Sequence, residues 1–103
     1  MRWSILFLLV GCGTDRVEAI LALEGDVAEG ASVYSTQCSG CHGADGEGGV
    51  GPAMDALVPA HTDTQFIDVV LYGIGDEMPT HDHLSDQRIA DLLAWARDTY
   101  GEN

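Results

Sequence analysis

Lysine is missing from this chain altogether, and only four arginines stand against 17 aspartates and glutamates. The resulting formal net charge of −13 over 103 residues excludes a nucleic-acid binder, because phosphate backbones are held by clustered Lys and Arg. Direct docking on anionic lipid head groups is excluded on the same ground. A basic protein partner is the natural complement. Cysteine is scarce too, at three residues, too few for the disulfide framework that staples many small exported domains. No apolar run approaches the ~20 residues a membrane-spanning helix needs. Strand-like alternation and internal repeats are also lacking, which argues against sheet and solenoid folds. What remains is a hydrophobic content of 46% with helically spaced apolar residues, a composition that folds rather than stays disordered.

The chain is short for that task. At about 60–90 residues a core made of protein alone is marginal, so a metal, disulfide or large cofactor must supplement it. The shortening comes from the front: Arg2 precedes the apolar run Trp3 to Val10, which reads as the core of a secretory leader. Leu9-Val10-Gly11-Cys12 resembles the lipobox of bacterial lipoproteins, which implies cleavage after residue 11 and a lipid on Cys12; an ordinary leader with an incidental cysteine is the alternative. Either reading implies export. Losing residues 1–11 removes Arg2 and no acid, so the mature chain is one charge more acidic. Residues 12–25 are then a tether or short N-terminal extension, or a helix packed on the domain, and 26–103 form the domain proper.

Within that domain, Val27, Ala31, Tyr34 and Cys38 recur at helical spacing behind Asp26, a candidate N-cap. Residues 40–59 hold six glycines and two prolines and are expected to be loop throughout. Thr62 and Gln65 have capping-box spacing ahead of Phe66, Val69 and Val70, with Gly73 as terminator. After a loop containing Gly75 and Pro79, Ser85 caps a last helix with Ile89, Leu92, Leu93 and Ala96 on its buried face and Gly101 at its end.

Cys38-Ser39-Gly40-Cys41-His42 is the C-x-x-C-H sequence of c-type haem attachment. Two thiols add across the two vinyl groups of haem, and the adjacent His42 is held where its imidazole reaches the iron. A Cys38–Cys41 disulfide is a weaker reading, since so short a loop stabilises little and leaves His42 unexplained. A zinc site would need His61, His81 or His83 to complete it, and a thioredoxin-like motif needs a βαβ setting. Met78, in a loop stiffened by Pro79, is the leading second axial ligand; its soft, neutral sulfur favours ferrous iron and raises the reduction potential. His81 and His83 on the same loop are alternatives, more simply read as exposed side chains beside Asp82. Met54 reads as packing and His61 as part of a turn.

Together these residues resemble the class I cytochrome c family, its short bacterial single-haem members in particular. The resemblance rests on Gly30 and Tyr34, Cys38 to Gly43, Gly51-Pro52, Met78-Pro79 and a final helix with Trp95. It implies an all-α fold of three to five helices around one covalent haem c. It further implies a close crossing in which Gly30 and Tyr34 meet Leu92 and Trp95, and a Pro52 carbonyl that orients His42. The lysine ring of mitochondrial-type members is missing here. The expected function is one-electron transfer between redox proteins outside the cytoplasm, on the periplasmic side, with the membrane reached only through a lipid on Cys12. The partners expected carry a basic docking surface, and no catalytic residues are expected. The alternatives are a haem sensor or peroxidase-like enzyme with an open sixth site, and an electron-entry subunit docked on a larger oxidoreductase.

Overall fold

The computed structural model describes residues 16–103, so the leader expected over residues 1–11 and the expected lipid site Cys12 lie outside the described residues. Six helices follow in order: α1 Arg16–Leu21, α2 Val27–Gln37, α3 Ser39–His42, α4 Met54–Ala60, α5 Asp63–Tyr72 and α6 Asp86–Tyr100. Among the described residues there is no strand, only an isolated antiparallel bridge between Ile74 and Met78. The fold is all-α, and residues 26–103 supply five of the helices.

Local chemistry sets the helix ends. Asp26 accepts a 2.9 Å hydrogen bond from the Glu29 N–H at the start of α2. Thr62 and Gln65 close a capping box over α5, at 3.1 and 2.8 Å, satisfying donors the first turn leaves open. Ser85 accepts from the Arg88 N–H at the start of α6. Gly73 and Gly101 end α5 and α6 with φ of 72° and 106°, a region closed to most side chains.

The most extensive helix packing is α2 on α6. It centres on Gly30: a Cβ added there would collide with the backbone carbonyl of Asp91 and the Cβ of Trp95. Beside this crossing, the buried Asp91 carboxylate accepts from the Asp26 N–H and from Gln87, at 2.8 and 2.9 Å. The start of α2 is thereby fastened to α6, and no buried oxygen is left unpaired at the join. The crossing also corrects part of the expected stripe on α2, where Tyr34 is buried and Cys38 packs on the core as expected. Its buried residues are Gly30, Val33 and Tyr34, whereas Val27 is 40% exposed, because the face turned to α6 is the one on which glycine allows contact.

Two further expectations change. Residues 16–21, left open between tether and packed helix, form α1, which buries Val17 and Ile20. Arg16 ties α1 to the start of α6, donating to Asp86 and to the carbonyls of Asp82 and Leu84. The glycine-rich stretch 40–59 is not loop throughout, since it contains the end of α3 and all but the last residue of α4. The glycines stop at Gly51, and residues 54–60 coil despite Pro59 in the last turn of α4. No side chain caps the α4 N-terminus at Ala53, so the usual signal for a helix start is absent from the sequence.

Replacing Gly30 by alanine is therefore expected to destabilise the holoprotein by about 2–4 kcal/mol, since overpacking here meets backbone rather than a movable side chain. Gly40→Ala, where a Cβ meets nothing within 4 Å, should leave stability within ~0.5 kcal/mol. Denaturant midpoints of the two variants check the contrast.

Candidate cofactor site

Cys38 ends α2 and starts α3, donating its N–H to Tyr34 O at 2.9 Å. Cys41 and His42 N–H groups both return to Cys38 O, at 3.2 and 3.1 Å. One helical turn therefore gathers the three side chains at i, i+3 and i+4, the spacing that shares a face. Cys38 is partly buried and Cys41 exposed, and neither is in a disulfide. Burial, with a smaller contribution from Cys41, pushes the Cys38 thiol up to about 11.

The segment after His42 folds back over it. Gly48 and Gly51 N–H groups donate to His42 O and Cys41 O at 2.7 and 2.8 Å. Gly51 lies so close to the imidazole that a Cβ would sit 2.9 Å from its Cε1. The next residue places its carbonyl 2.8 Å from His42 Nδ1. A carbonyl only accepts, so Nδ1 carries the proton, and in the neutral ring Nε2 is then the nitrogen with the lone pair. The contact expected of Pro52 is thus present in the geometry.

Aromatic side chains from α2 and α6 hold this loop from behind. Tyr34 stacks on Trp95 with ring centroids 4.5 Å apart, and Trp95 meets Tyr100 edge-on at 5.6 Å. The Tyr34 hydroxyl donates to Gly43 O at 2.6 Å, and Tyr100 donates to Asp45 O at 3.2 Å. Burial raises the Tyr34 hydroxyl to about 12, with Tyr100, Cys38 and nearby acids adding to it. Burial raises that of Tyr100 as well, reinforced by Asp45 and other carboxylates.

A second loop brings in Met78. Ile74 and Met78 exchange backbone hydrogen bonds at 3.0 and 3.1 Å, closing a tight turn whose tip is Gly75, Asp76 and Glu77. Gly73 is required beneath it, because a Cβ there would strike Met78 O and the Pro79 backbone. Further along, His81 N–H donates to Val70 O at 2.8 Å and moors the loop on α5.

The two loops enclose a cavity of about 490 Å³ lined by Cys38, Cys41, His42 and Met78 together with apolar side chains such as Leu57, Val58, Val70 and Leu92. Met54, read as packing, is buried and lines it too. His81 and His83 do not line it. The expectation that both are exposed is corrected for His81, which is 8% exposed with its Nδ1 buried and unpartnered, because mooring on α5 carries its ring inward. His83 stays exposed and contacts Gln37 at 3.2 Å. Among the described residues no group of three or more His, Cys, Asp or Glu gathers as a metal site, so the zinc reading has no geometry behind it.

Two participants were not legible as such. His61 lines the cavity with Nδ1 donating to Leu57 O at 2.7 Å. Arg97 is buried and donates to Val58 O, His61 O and the half-exposed Asp63. It fixes the end of α4 that supplies this wall. An arginine one residue beyond the apolar Ala96 of α6 was the available signal.

The cavity volume lies within the roughly 300–1,000 Å³ of cofactor sites. Two thiols, an imidazole with a free Nε2 and a thioether within apolar walls are the donors that haem c takes. A family model described as cytochrome C oxidase, cbb3-type, subunit III matches residues 25–95. A cytochrome c-553-like protein of Synechocystis is 30% identical over 81 residues, covering 79% of this chain and 76% of that protein. The chain belongs to the class I c-type cytochromes. This c-type cytochrome is also 30% identical over 76 residues to cytochrome c-L of Methylorubrum extorquens, 69% of this chain but 39% of that protein. The solved cytochrome cL of Hyphomicrobium denitrificans superposes with a TM-score of 0.63 at 32% identity, over 69% of this chain and 45% of that one. The cytochrome cL of Methylophaga aminisulfidivorans gives 0.63 at 30% identity, over 72% and 53%. The chain thus spans about half or less of the cytochromes c-L it matches. Proteins of this family bind haem c covalently and carry electrons; they are not enzymes.

The raised tyrosine predicts alkaline behaviour. The folded protein keeps the Tyr34 proton to about pH 12 while the unfolded chain loses it near 10, so stability should fall as pH rises through that window. Tyr34→Phe removes the hydroxyl and should flatten that decline, at a cost of about 1 kcal/mol near neutrality for the lost bond to Gly43. Unfolding titrations at several pH values measure both.

Proposed function

We propose that this c-type cytochrome holds one haem through thioethers at Cys38 and Cys41, with His42 and Met78 as axial ligands, and shuttles single electrons between redox proteins outside the cytoplasm. The observation that carries this reading is the common cavity reached by Cys38, Cys41 and His42 from one helical turn and by Met78 from a loop. The haem, once bound, supplies an iron that accepts and returns one electron. Everything else falls to the chain. The Pro52 carbonyl takes the Nδ1 proton of His42 in a hydrogen bond, which fixes the ring and strengthens Nε2 as a donor. The Met78 thioether favours the ferrous state and sets a higher potential than a second imidazole would. Leu57, Val58, Val70 and Leu92 keep water from the wall, so little solvent need reorganise as the charge changes.

Family members work with redox partners, and the acidity of this chain makes a basic partner the fitting one, with association slowed by salt. Export through residues 1–11 and a lipid on Cys12 would confine the shuttle to the periplasmic face of a membrane, in keeping with the family's usual location. Among the described residues no helix is long and apolar enough to cross a membrane. A second reading, a subunit seated on a larger oxidoreductase, draws on the oxidase-subunit description of the matching family model and on exposed Leu21 and Leu23, at 41% and 39%.

Met78→Ala tests the ligand assignment. The ferric holoprotein should lose the far-red charge-transfer band of thioether-ligated iron, and its potential should fall on the order of 0.2 V, within the ~0.8 V that axial ligands span. An unchanged spectrum and potential would remove Met78 from the coordination sphere.

A further inference from the structure

Away from the cofactor cavity the fold carries a second recess, and the two share no lining residue. On α6 the positions Ala90, Leu93, Ala94 and Arg97 fall at i, i+3, i+4 and i+7, one continuous stripe, and all four line this groove of about 300 Å³. Leu92, one position from Leu93, lines the cofactor cavity instead. The opposite wall is the end of α1 and the turn after it, where Leu21 and Leu23 are 41% and 39% exposed. Between the walls Gly25 passes so close to α6 that a Cβ would strike Ala90 O and the Ala94 Cβ. Small residues therefore make the floor and leucines the sides. The acids of the lining, Glu24, Asp63 and Glu102, are all exposed. Its one cation, Arg97, is buried and committed to Asp63 and to the carbonyls of Val58 and His61. Among the described residues neither Glu24 nor Glu102 is paired with an arginine, so the apolar strip lies under an uncompensated acidic rim.

We propose that this groove seats an amphipathic helix of a partner protein, one that presents large apolar side chains at i, i+3 and i+4 spacing with Lys or Arg beside them. The apolar side chains fill the space between Leu21, Leu23 and Leu93, the helix-in-groove mode of recognition. The cations face Glu24 and Glu102, where they act on encounter rate and register more than on affinity. Charge selects this occupant over others. A second copy of a chain with a net charge of −13 and no lysine would set acid against acid in a self-complementary interface, and anionic lipid head groups are repelled in the same way. The assignment goes beyond electron carriage, because a helix held in this groove leaves the residues that line the cofactor cavity uncovered. The groove is an attachment face, separate from the cofactor site.

The probe is a fluorescent synthetic helix of about five turns, with leucines at that spacing and lysines on both flanks, beside a second peptide in which glutamate replaces every lysine. Anisotropy titrations of the holoprotein at several ionic strengths give the affinities. L21S/L23S should weaken binding of the lysine peptide roughly tenfold. E24Q/E102Q, which alters the exposed rim alone, should weaken it about threefold at low salt and flatten its salt dependence. D68N/D98N removes the same charge from exposed acids outside both linings and should stay close to wild type, and the glutamate peptide should not bind. Equal losses from the two acid pairs, no loss from L21S/L23S, or photo-cross-links from the peptide to the cofactor cavity rather than to α1 and α6 would overturn the proposal. Sedimentation that shows a dimer dispersed by L21S/L23S would give the groove to a second copy, and binding that appears only after removal of residues 12–15 would give it to the chain's own N-terminal segment; either overturns the partner helix. Each of these results leaves the haem ligands to their own test.

Discussion

The close approach of α2 and α6 at Gly30 is the constraint on which the remainder of the structure depends. It brings Tyr34 against Trp95 and places the end of α2, where the C-x-x-C-H turn begins, at a fixed distance from α6. From that crossing the aromatic side chains reach forward to the carbonyls of Gly43 and Asp45, and the loop thereby held returns the Pro52 carbonyl to His42. The chain from helix contact to ligand orientation is continuous. Its weakest point is sterically explicit, because at Gly30 the neighbour is backbone and cannot move aside. Asp91 reinforces the same join with a carboxylate oxygen that accepts two hydrogen bonds, the kind of pairing that makes a buried acid tolerable.

Much of this was legible from residue type and spacing, and the failures have physical causes. Caps at Asp26, Thr62 and Ser85 and terminators at Gly73 and Gly101 are local signals, and each marks a helix end in the structure. The start of α4 has no capping side chain and follows a dense run of glycines, so propensity alone pointed to loop and tertiary packing of Met54 and Val58 decided otherwise. Periodicity placed the buried face of α2 only in part: Tyr34 is buried and Cys38 packs on the core, but Val27 is exposed and a glycine, invisible to a hydrophobic count, lies at the centre of the face. His81 was misread because its depth is set by a backbone bond to Val70, which sequence does not display. At the site itself, Cys38, Cys41, His42, Pro52 and Met78 were named in advance and all five reach one cavity. The roles of His61 and Arg97 depended on contacts across the fold.

The distribution of charge completes the account. Two of the arginines serve as internal fasteners, one holding α1 to α6 and the other holding the end of α4. With Arg97 buried, Arg16 paired to Asp86 and no lysine in the chain, carboxylates far outnumber the one remaining described arginine, Arg88, on the surface. A cofactor-completed core and an anionic exterior thus go together in a small chain, in which the haem supplies apolar area that about 80–90 residues of protein could not.

The central claim is that haem, bonded at Cys38 and Cys41, completes this fold. Its most direct test is the intact mass and far-ultraviolet circular dichroism of the exported protein, made in cells with a cytochrome c maturation system, beside a C38S/C41S variant. The account predicts wild-type chains that keep the mass of one haem after denaturation and are strongly helical, and variant chains that carry no haem and lose most of their helix. A variant that folds cooperatively to the same helical content without haem, or a wild type that retains none, would contradict it.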